Sequence, residues 1–339
     1  PIANAAIKAI TEGKTGYTQA LGLPELRAAI AQFYAAKYGL TVTSSRIVIT
    51  NGASGALNLA FACLTDPGSE WLLTDPGYPC NRHIIRTYEG QPIGIPVNAS
   101  TNFQPTPELL EQYWGENTAG LLLASPANPT GTLLDLDEIN NLAQFIRQRN
   151  GHFIVDEIYH GLTYETDPPS ACAAGDDIWV INSFSKYFQM TGWRLGWMVV
   201  PEIYVRDIEK LAQNLTLCPS TPAQYAALAA FEPETIAILE SRRAEFKRRR
   251  DYLAPALSQL GFRITAQPQG AFYLYCDCSA LCADSFSFAR DLLEKIGVAA
   301  TPGLDFGSNQ PEKHIRFAYT TNVDRLAEAV DRLSAYFGR

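Results

Sequence analysis

Short apolar segments recur between residues 46 and 200, and each is followed by a polar turn and then by a helical pattern. The segments Arg46–Thr50 and His152–Asp156 are rich in isoleucine and valine and end at polar residues. Short runs of this kind, bounded by turn residues, predict buried strands. Further strands are predicted at Trp71–Thr74, Pro92–Val97, Leu121–Ala124, Trp179–Asn182 and Leu195–Val200. Strands that alternate with helices predict an α/β fold with a mostly parallel sheet.

The helical periodicity changes character in the last third of the chain. Apolar spacing predicts helices at Pro24–Tyr38, Ala56–Cys63 and Asp135–Asn150, and then at Pro222–Ala230 and Pro233–Leu260. The tail mixes predicted strands (Phe262–Ile264, Ala271–Cys276, His314–Ala318) with helices (Ser285–Ile296, Val323–Phe337). We therefore expect a large α/β domain over residues 13–245, and a smaller α+β domain formed by residues 246–339 together with residues 1–12.

Composition excludes several classes of partner. The chain has 339 residues, of which 47% are hydrophobic, so it can bury a large core. The formal net charge is −8, which argues against nucleic acid as a partner, and the arginines of 248–250 fall in a helical pattern typical of a solvated face. No apolar run approaches the roughly 20 residues that a membrane span requires.

The metal-binding and redox residues are scattered. The seven cysteines include no Cys-x-x-Cys pair, and the four histidines are dispersed, so the sequence predicts neither a disulfide framework nor a metal site. Reduced thiols predict a cytoplasmic protein.

Polar side chains of catalytic type come directly after the predicted strands. They are Ser54, Tyr78, Asn128, Asp156, Tyr159 and Lys186. In parallel α/β sheets, ligands bind beyond the carboxyl ends of the strands. The shared placement of these residues therefore predicts one site at that edge.

Two stretches offer groups that can bind an anion next to a reactive amine. The first is Asn51-Gly52-Ala53-Ser54-Gly55, a glycine turn between a strand and a helix, where unpaired amides and the helix dipole favour an anion. The second is Ser183–Arg194, in which Lys186 follows two serines. A lysine amine can form a Schiff base with an aldehyde, and the hydroxyls of Ser183 and Ser185 with the guanidinium of Arg194 suit a phosphate.

Three motifs together resemble a known family. They are Ser-Pro-Ala-Asn-Pro-Thr-Gly at 125–131, Val-Asp-Glu-Ile-Tyr at 155–159, and Ser-Phe-Ser-Lys at 183–186 with Gly-Trp-Arg-Leu-Gly at 192–196. In this order they resemble the class I and II pyridoxal-phosphate-dependent aminotransferases of the aspartate aminotransferase superfamily, fold type I. The resemblance extends from Gly16 to Phe317. It implies a large domain with a mostly parallel, seven-stranded type of sheet flanked by helices, a smaller α+β C-terminal domain, and pyridoxal 5′-phosphate as cofactor.

The resemblance also implies roles for individual residues. Lys186 would carry the cofactor as an internal aldimine and move a proton at the substrate α-carbon, while Asp156 would face the pyridine nitrogen. Asn128 and Tyr159 would hydrogen-bond the phenolic oxygen of the ring, and Tyr78 would stack on it. The expected phosphate-binding residues are Gly52, Ala53, Ser54, Ser183, Ser185 and Arg194.

Substrate and subunit contacts follow from the same resemblance. Arg316, beside Asn128, would bind the substrate α-carboxylate, and the segments 269–273 and 302–307 would line the substrate side of the site. Tyr17 would reach the phosphate of a neighbouring subunit, which implies a homodimer. The peptide bond between Asn128 and Pro129 is expected to be cis.

The resemblance implies an aminotransferase that moves an amino group between an L-α-amino acid and a 2-oxo acid by a ping-pong mechanism. A C–S lyase or another fold type I enzyme would use the same Lys186, Asp156 and Arg316, so these residues do not separate the alternatives. An aminotransferase-like regulatory module is disfavoured by the acidic charge and the intact catalytic set. Aromatic residues in the expected site are compatible with neutral or aromatic donors, and the preferred donor stays open.

Overall fold

The structure, a computed structural model, describes residues 1–338. Its strands are β1 (Ile47–Thr50), β2 (Glu70–Asp75), β3 (Gln91–Pro96), β4 (Thr118–Ala124), β5 (His152–Asp156), β6 (Trp179–Ser183), β7 (Gly196–Val199), β8 (Arg263–Ile264), β9 (Tyr273–Asp277), β10 (Thr301–Pro302) and β11 (His314–Ala318). Its helices are α1 (Ile2–Thr11), α2 (Pro24–Tyr38), α3 (Gly52–Leu64), α4 (Pro79–Thr87), α5 (Pro107–Tyr113), α6 (Leu136–Arg147), α7 (Val205–Leu215), α8 (Thr221–Leu228), α9 (Pro233–Gln259), α10 (Ser285–Ile296) and α11 (Val323–Tyr336).

Seven strands form one mainly parallel sheet in the order β1-β7-β6-β5-β4-β2-β3. Strands β3, β2, β4, β5 and β6 run parallel to their neighbours, and β7 runs antiparallel between β6 and β1. This confirms the predicted α/β class with a large, mostly parallel sheet. The order places β4, β5 and β6 side by side in the interior, so the residues that follow these strands emerge close to one another.

The large sheet is buried on both faces. Leu121, Leu123 and Val155 belong to one apolar cluster, whereas Leu122 and Ile154 belong to a second cluster on the opposite face. Successive side chains of a strand point to opposite faces, so a strand covered by helices on both sides must be apolar at every position. This explains why the strands could be recognised as continuous apolar runs.

A smaller antiparallel sheet has the order β10-β11-β9-β8. Its core joins Leu274 and Ile315 of the sheet to Leu257 of α9 and Leu292 of α10. Helix α9 is long enough to contribute to two cores, since Leu239 nearer its start packs in the first cluster of the large sheet. The elements of the tail thus have a core of their own.

Helix α1 packs against α8, and its Ala6 is buried in the first cluster of the large sheet. The division into residues 13–245 and residues 246–339 with 1–12 stays a prediction. Within residues 1–338, no helix combines the length and the apolar character needed to cross a bilayer. The cytoplasmic location also stays a prediction.

The elements that the pattern did not predict are short or polar. Helices α4, α5 and α7 and the two-residue strand β10 were not predicted, and α3 begins at Gly52 rather than at Ala56. Gly52 to Gly55 read as a turn because glycine and serine are poor helix formers. In the structure Gly52 and Ala53 are buried, and tertiary packing outweighs propensity. The bond between Asn128 and Pro129 is cis.

Close packing at Gly120 of β4 generates a stability prediction. A Cβ on Gly120 would lie 2.2 Å from the His152 carbonyl oxygen and 2.9 Å from the Trp71 ring. We expect Gly120→Ala to lower the free energy of unfolding by about 1–3 kcal/mol, because these neighbours must shift. Urea denaturation measures the change. Gly16→Ala is the matched control, since nothing lies within 4 Å of its Cβ; equal losses in both variants would contradict the packing argument.

Candidate active site

The carboxyl ends of β4, β5 and β6 open into a cavity of about 420 Å³, called here the strand-end cavity. Most of the residues predicted from the sequence meet in its wall. They are Ala53, Ser54, Tyr78, Asn128, Asp156, Tyr159, Ser183, Ser185, Lys186, Arg194 and Arg316. The volume is within the range typical of sites for small cofactors and substrates.

Asp156 is the last residue of β5 and is almost completely buried. Its Oδ1 accepts a hydrogen bond of 3.0 Å from the Ile158 amide. Burial raises the pKa of the carboxyl to about 6, against the smaller lowering effects of the Ile158 amide and of Lys186. A cation bound in the cavity would therefore stabilise the ionised form of Asp156.

Lys186 follows β6 and is half-buried, with its Nζ 5.7 Å from the ring centroid of Tyr159 and 5.5 Å from that of Phe272. Burial lowers the pKa of its amine; Asp156 opposes this shift, while the positive charges of Arg194 and Arg316 add to it. A lowered pKa increases the fraction of neutral amine, which is the nucleophilic and basic form.

Arg316 lies on β11 of the small sheet, and its side chain reaches Asn128, which follows β4 of the large sheet. Its Nη1 donates to Asn128 Oδ1 at 2.8 Å, and its Nη2 lies 3.3 Å from Thr301 Oγ1. The guanidinium lies over the rings of Tyr273 and Phe306, at 4.1 and 4.7 Å from their centroids. Its buried Nε has no hydrogen-bond partner among residues 1–338. The group is therefore held in place with donor capacity left for a carboxylate.

Tyr159 lies beside this arginine. Its hydroxyl is 3.1 Å from that of Tyr273, and burial is the main cause that raises its pKa. The phenol therefore stays protonated at neutral pH and can donate a hydrogen bond into the cavity.

Hydroxyls and a guanidinium gather at the end of the cavity near Lys186. Ser183 Oγ lies 3.0 Å from Ser185 Oγ, and it donates to the Leu195 carbonyl at 3.1 Å. Arg194 Nη1 donates to the Thr191 carbonyl at 2.8 Å and is 3.5 Å from Ser185 Oγ. These groups surround a space suited to phosphate oxygens.

The N-terminus of α3 faces the same end. The Asn51 side chain makes no capping hydrogen bond, so the first amides of α3, at Ala53 and Ser54, lack a side-chain cap. Gly52 has φ +72°, and a Cβ there would lie 2.7 Å from Arg194 Nη2. Glycine thus allows the arginine to approach the helix N-terminus, where amides and dipole favour an anion.

Of the two other tyrosines predicted to contribute to the site, Tyr78 lines the cavity and Tyr17 does not. Tyr78 precedes α4 and lines the cavity while 39% exposed, and burial raises the pKa of its phenol. Tyr17 is 84% exposed and does not line the cavity of its own chain. Its contribution to a site therefore depends on another molecule.

Several lining residues were not singled out in the sequence. Leu57, Pro79, Ile158 and Thr191 also form the wall, whereas Tyr273, Asp305 and Phe306 belong to segments expected on the substrate side. Thr191 lies within the stretch from Ser183 to Arg194, but a lone threonine in a turn carries no chemical signal of its own.

The cavity fits pyridoxal phosphate in charge and in chemistry. The cavity offers hydroxyls, helix amides and Arg194 to a phosphate, and the buried carboxylate of Asp156 would be stabilised by a protonated pyridine nitrogen. Between them lies Lys186, an amine of lowered pKa suited to an aldehyde. Arg316 is left for a carboxylate on the far side of the ring site.

Comparison with known proteins agrees with this chemistry. The family model for class I and II aminotransferases matches residues 2–333. A valine–pyruvate aminotransferase of Mycobacterium tuberculosis is 38% identical over 338 residues, covering 99% of this chain and 87% of that protein. An aspartate/prephenate aminotransferase of Thermus thermophilus is 32% identical over 341 residues, covering 100% of this chain and 87% of that protein.

A solved structure shows the same fold. The crystal structure of an aminotransferase from Mycobacterium tuberculosis aligns with a TM-score of 0.97 and 38% identity, covering 100% of this chain and 88% of that chain. The family model, the relatives and the solved structure thus all indicate the same family over nearly the whole chain. The chain belongs to the class I and II aminotransferases, a family of pyridoxal-phosphate-dependent enzymes.

Proposed function

We propose that this aminotransferase binds pyridoxal phosphate in the strand-end cavity, with Lys186 as its covalent anchor and as the base that moves the proton. The observation that carries the proposal is that Lys186 and Asp156 line one cavity together with Ser183, Ser185 and Arg194, which suit a phosphate, and with Arg316, which suits a carboxylate. The cofactor, when bound, withdraws electrons from the substrate α-carbon and so makes its proton removable.

The chain's own groups would divide the remaining work. Asp156 would pair with the ring nitrogen and keep it cationic, because a buried carboxylate is stabilised by an adjacent positive charge. Lys186, once released from the cofactor, would accept the proton from the α-carbon and return it at the cofactor carbon that receives the amino group. Tyr159 and Asn128 would each donate a hydrogen bond to the ring's phenolic oxygen.

The α-carboxylate would bind to Arg316 as a bidentate pair, which orients the substrate for proton removal. Asn128 Oδ1 accepts from one guanidinium nitrogen, so the plane of the guanidinium is fixed before substrate arrives. An amino acid and a 2-oxo acid share this carboxylate, so the same contact would serve both halves of a ping-pong reaction.

For the donor we propose a neutral L-α-amino acid. The substrate side carries the apolar surfaces of Tyr78, Tyr273 and Phe306, and one relative is named a valine–pyruvate aminotransferase. Aliphatic side chains gain free energy by burial against such surfaces.

We further propose a homodimer in which Tyr17 completes the phosphate end of the partner's site. Tyr17 is 84% exposed, and Ile7, Leu215 and Leu217 are each more than half exposed. A subunit interface would bury these exposed apolar side chains. An isologous dimer would exchange the two tyrosines.

Replacement of Lys186 tests the anchor. We expect Lys186→Ala to lower the rate of amino transfer by about 10³-fold or more, because it removes both the anchor and the base. Borohydride reduction of the loaded wild-type protein should attach the pyridoxyl group to the peptide that contains Lys186, as mass spectrometry would show. The exposed Lys210 of α7 provides the control Lys210→Ala. Labelling of another peptide would refute the assignment.

The raised pKa of Asp156 predicts a pH dependence of cofactor binding. Its carboxyl is charged above about pH 6, so attraction to a ring cation is present above that pH and lost below it. We expect the advantage of the wild type over Asp156→Asn in binding pyridoxamine phosphate to grow to about 10- to 100-fold as pH rises from about 5 to about 8.

Pyridoxamine phosphate is the appropriate probe because it forms no Schiff base with lysine, so the titration of Lys186 does not enter directly. Binding is measured by fluorescence or calorimetry across the pH range. Parallel curves for the two proteins would show that Asp156 does not contact the ring cation.

Mixed dimers test the role of Tyr17. Lys186→Ala and Tyr17→Ala homodimers are each expected to have low activity, but a heterodimer of the two contains one site with both native groups. After subunit exchange at equal concentrations, activity should rise to about one quarter of the wild-type value, the statistical share of such sites. If mixing produces no increase although mass spectrometry detects the heterodimer, Tyr17 acts only within its own chain or not at all.

A further inference from the structure

The loop between β10 and β11 of the small sheet, residues 303–313 and called here the β10–β11 loop, is attached to the large sheet at Asp75. Asp75 is the last residue of β2 and is 8% exposed. Its Oδ2 accepts hydrogen bonds from Ser308 N at 2.9 Å and from Ser308 Oγ at 2.8 Å, and its Oδ1 accepts one from Asn309 N at 3.2 Å. Hydrogen bonds to a carboxylate are stronger than those between neutral groups, so Asp75 holds this part of the loop in place.

Backbone groups next to the carboxylate extend the contact. Asn309 Nδ2 donates to the carbonyl oxygens of Asp75 and Val97, at 3.3 and 3.1 Å. Gly77, two residues after Asp75, donates from its amide to the Phe306 carbonyl at 2.9 Å. The loop is therefore bonded to the ends of β2 and β3 through backbone as well as side-chain groups.

The fit of the loop to Asp75 depends on a glycine. A Cβ at Gly307 would lie 1.7 Å from Asp75 Oδ1, which is closer than two such atoms can approach. Only a residue without a Cβ therefore allows the loop to pass this close to the carboxylate. On the other side of Phe306, Arg82 Nη2 of α4 donates to the Asp305 carbonyl at 2.9 Å. Residues on both sides of Phe306 are thus bonded to β2 or to α4.

Phe306 connects this attached loop to the arginine of the site. Phe306 is 1% exposed, and its ring centroid lies 4.7 Å from the Arg316 guanidinium and 5.9 Å from the Tyr275 ring, edge to face. The second ring against the guanidinium, that of Tyr273 at 4.1 Å, belongs to strand β9. One supporting ring is therefore fixed by a strand, whereas the other depends on the attachment of the β10–β11 loop.

We propose that Asp75 is a positioning residue for substrate binding. By holding the β10–β11 loop against the large sheet, it fixes Phe306 and so keeps the Arg316 guanidinium in the orientation that binds the α-carboxylate. Asp75 is not among the residues of the strand-end cavity wall, so it acts through the loop. This proposal rests on the proposed function, in which Arg316 binds that carboxylate. Amino acid and 2-oxo acid share the group, so both half-reactions depend on Asp75 equally.

Single-turnover half-reactions with valine and with pyruvate test this role. In Asp75→Ala, the concentration that gives half the maximal rate should rise about 10-fold for both substrates, while the maximal rate changes less than about 3-fold. This split is expected because the contact with the carboxylate is the same in the ground state and in the transition state. The inhibition constant of 3-methylbutanoate, which is valine without its amino group, should rise by the same factor.

Two further variants calibrate the effect. Asp75→Asn keeps one acceptor oxygen and should give a smaller rise than Asp75→Ala. Asp331→Ala removes a carboxylate from the exposed surface of α11, outside the loop and the cavity wall, and should change neither substrate. If Asp75→Ala does not fold, Asp75→Asn provides the same comparison.

Gly307→Ala tests the contact from the side of the loop. The added methyl group must displace the loop from the carboxylate, so valine binding should weaken about as much as in Asp75→Ala. In the Asp75→Ala background the methyl group can occupy the space that the carboxylate leaves, and the further loss should be less than about 3-fold. Losses that simply multiply would show that the two residues act independently and would overturn the proposal.

Hydrogen exchange follows the loop without any substrate. The amides of Ser308 and Asn309 donate to Asp75, so their exchange should accelerate about 10-fold or more in Asp75→Ala and stay unchanged in Asp331→Ala. Unchanged exchange in Asp75→Ala, or faster exchange with unchanged valine binding, would contradict the positioning role.

Arg316→Met separates this proposal from the proposed function. If Arg316→Met leaves the binding of valine and 3-methylbutanoate unchanged, the role proposed for Arg316 is wrong. If Arg316→Met weakens their binding about 100-fold but Asp75→Ala does not weaken it, Arg316 binds the carboxylate and Asp75 does not position it.

Discussion

The charge of Asp156, buried at the end of an interior strand, is the constraint on which the site depends. Burial makes its ionised form costly and raises its pKa to about 6, so a positive charge bound beside it would stabilise the carboxylate. Burial and the positive charges of Arg194 and Arg316 lower the pKa of the Lys186 amine, whereas Asp156 raises it. A cation bound beside Asp156 would stabilise its carboxylate and would lower the pKa of the Lys186 amine further. One cationic ligand would thus act on both the acid and the base.

The sheet order explains why this arrangement could be predicted in large part from sequence. Asn128, Asp156 and Lys186 follow β4, β5 and β6, which are neighbours in the sheet, and parallel strands bring their carboxyl ends to one edge. Apolar runs revealed these strands because both faces of the sheet are buried. Arg316 is different, since it comes from the antiparallel sheet of the tail, and only the resemblance to a family linked it to the site. Its contact with Asn128 joins positions 188 residues apart.

What the sequence did not reveal lies in short elements and in long-range contacts. Helix α4 has nine residues, and its large apolar side chains are two neighbouring isoleucines. Its sequence therefore shows no helical spacing of apolar residues, and neither the helix nor the face that carries Arg82 and Arg86 could be predicted. The hydrogen bonds from Ser308 to Asp75 join residues 233 positions apart. Asp75 accepts hydrogen bonds from Ser308 and Asn309 and so holds the loop that follows Phe306. Propensity describes local preference and carries no information about such partners.

The two sets of arginines differ in a way that suits an enzyme with two substrates. Arg316 is fixed by Asn128 and lies over two aromatic rings, which suits a group that must bind every substrate in one orientation. A second arginine shielded from water would penalise neutral side chains, because its charge would remain unpaired whenever such a side chain was bound. Arg82 and Arg86 are half-buried and exposed, so water can solvate them in that state. A second charge that stays in contact with solvent would therefore accept an acidic side chain without excluding a neutral one.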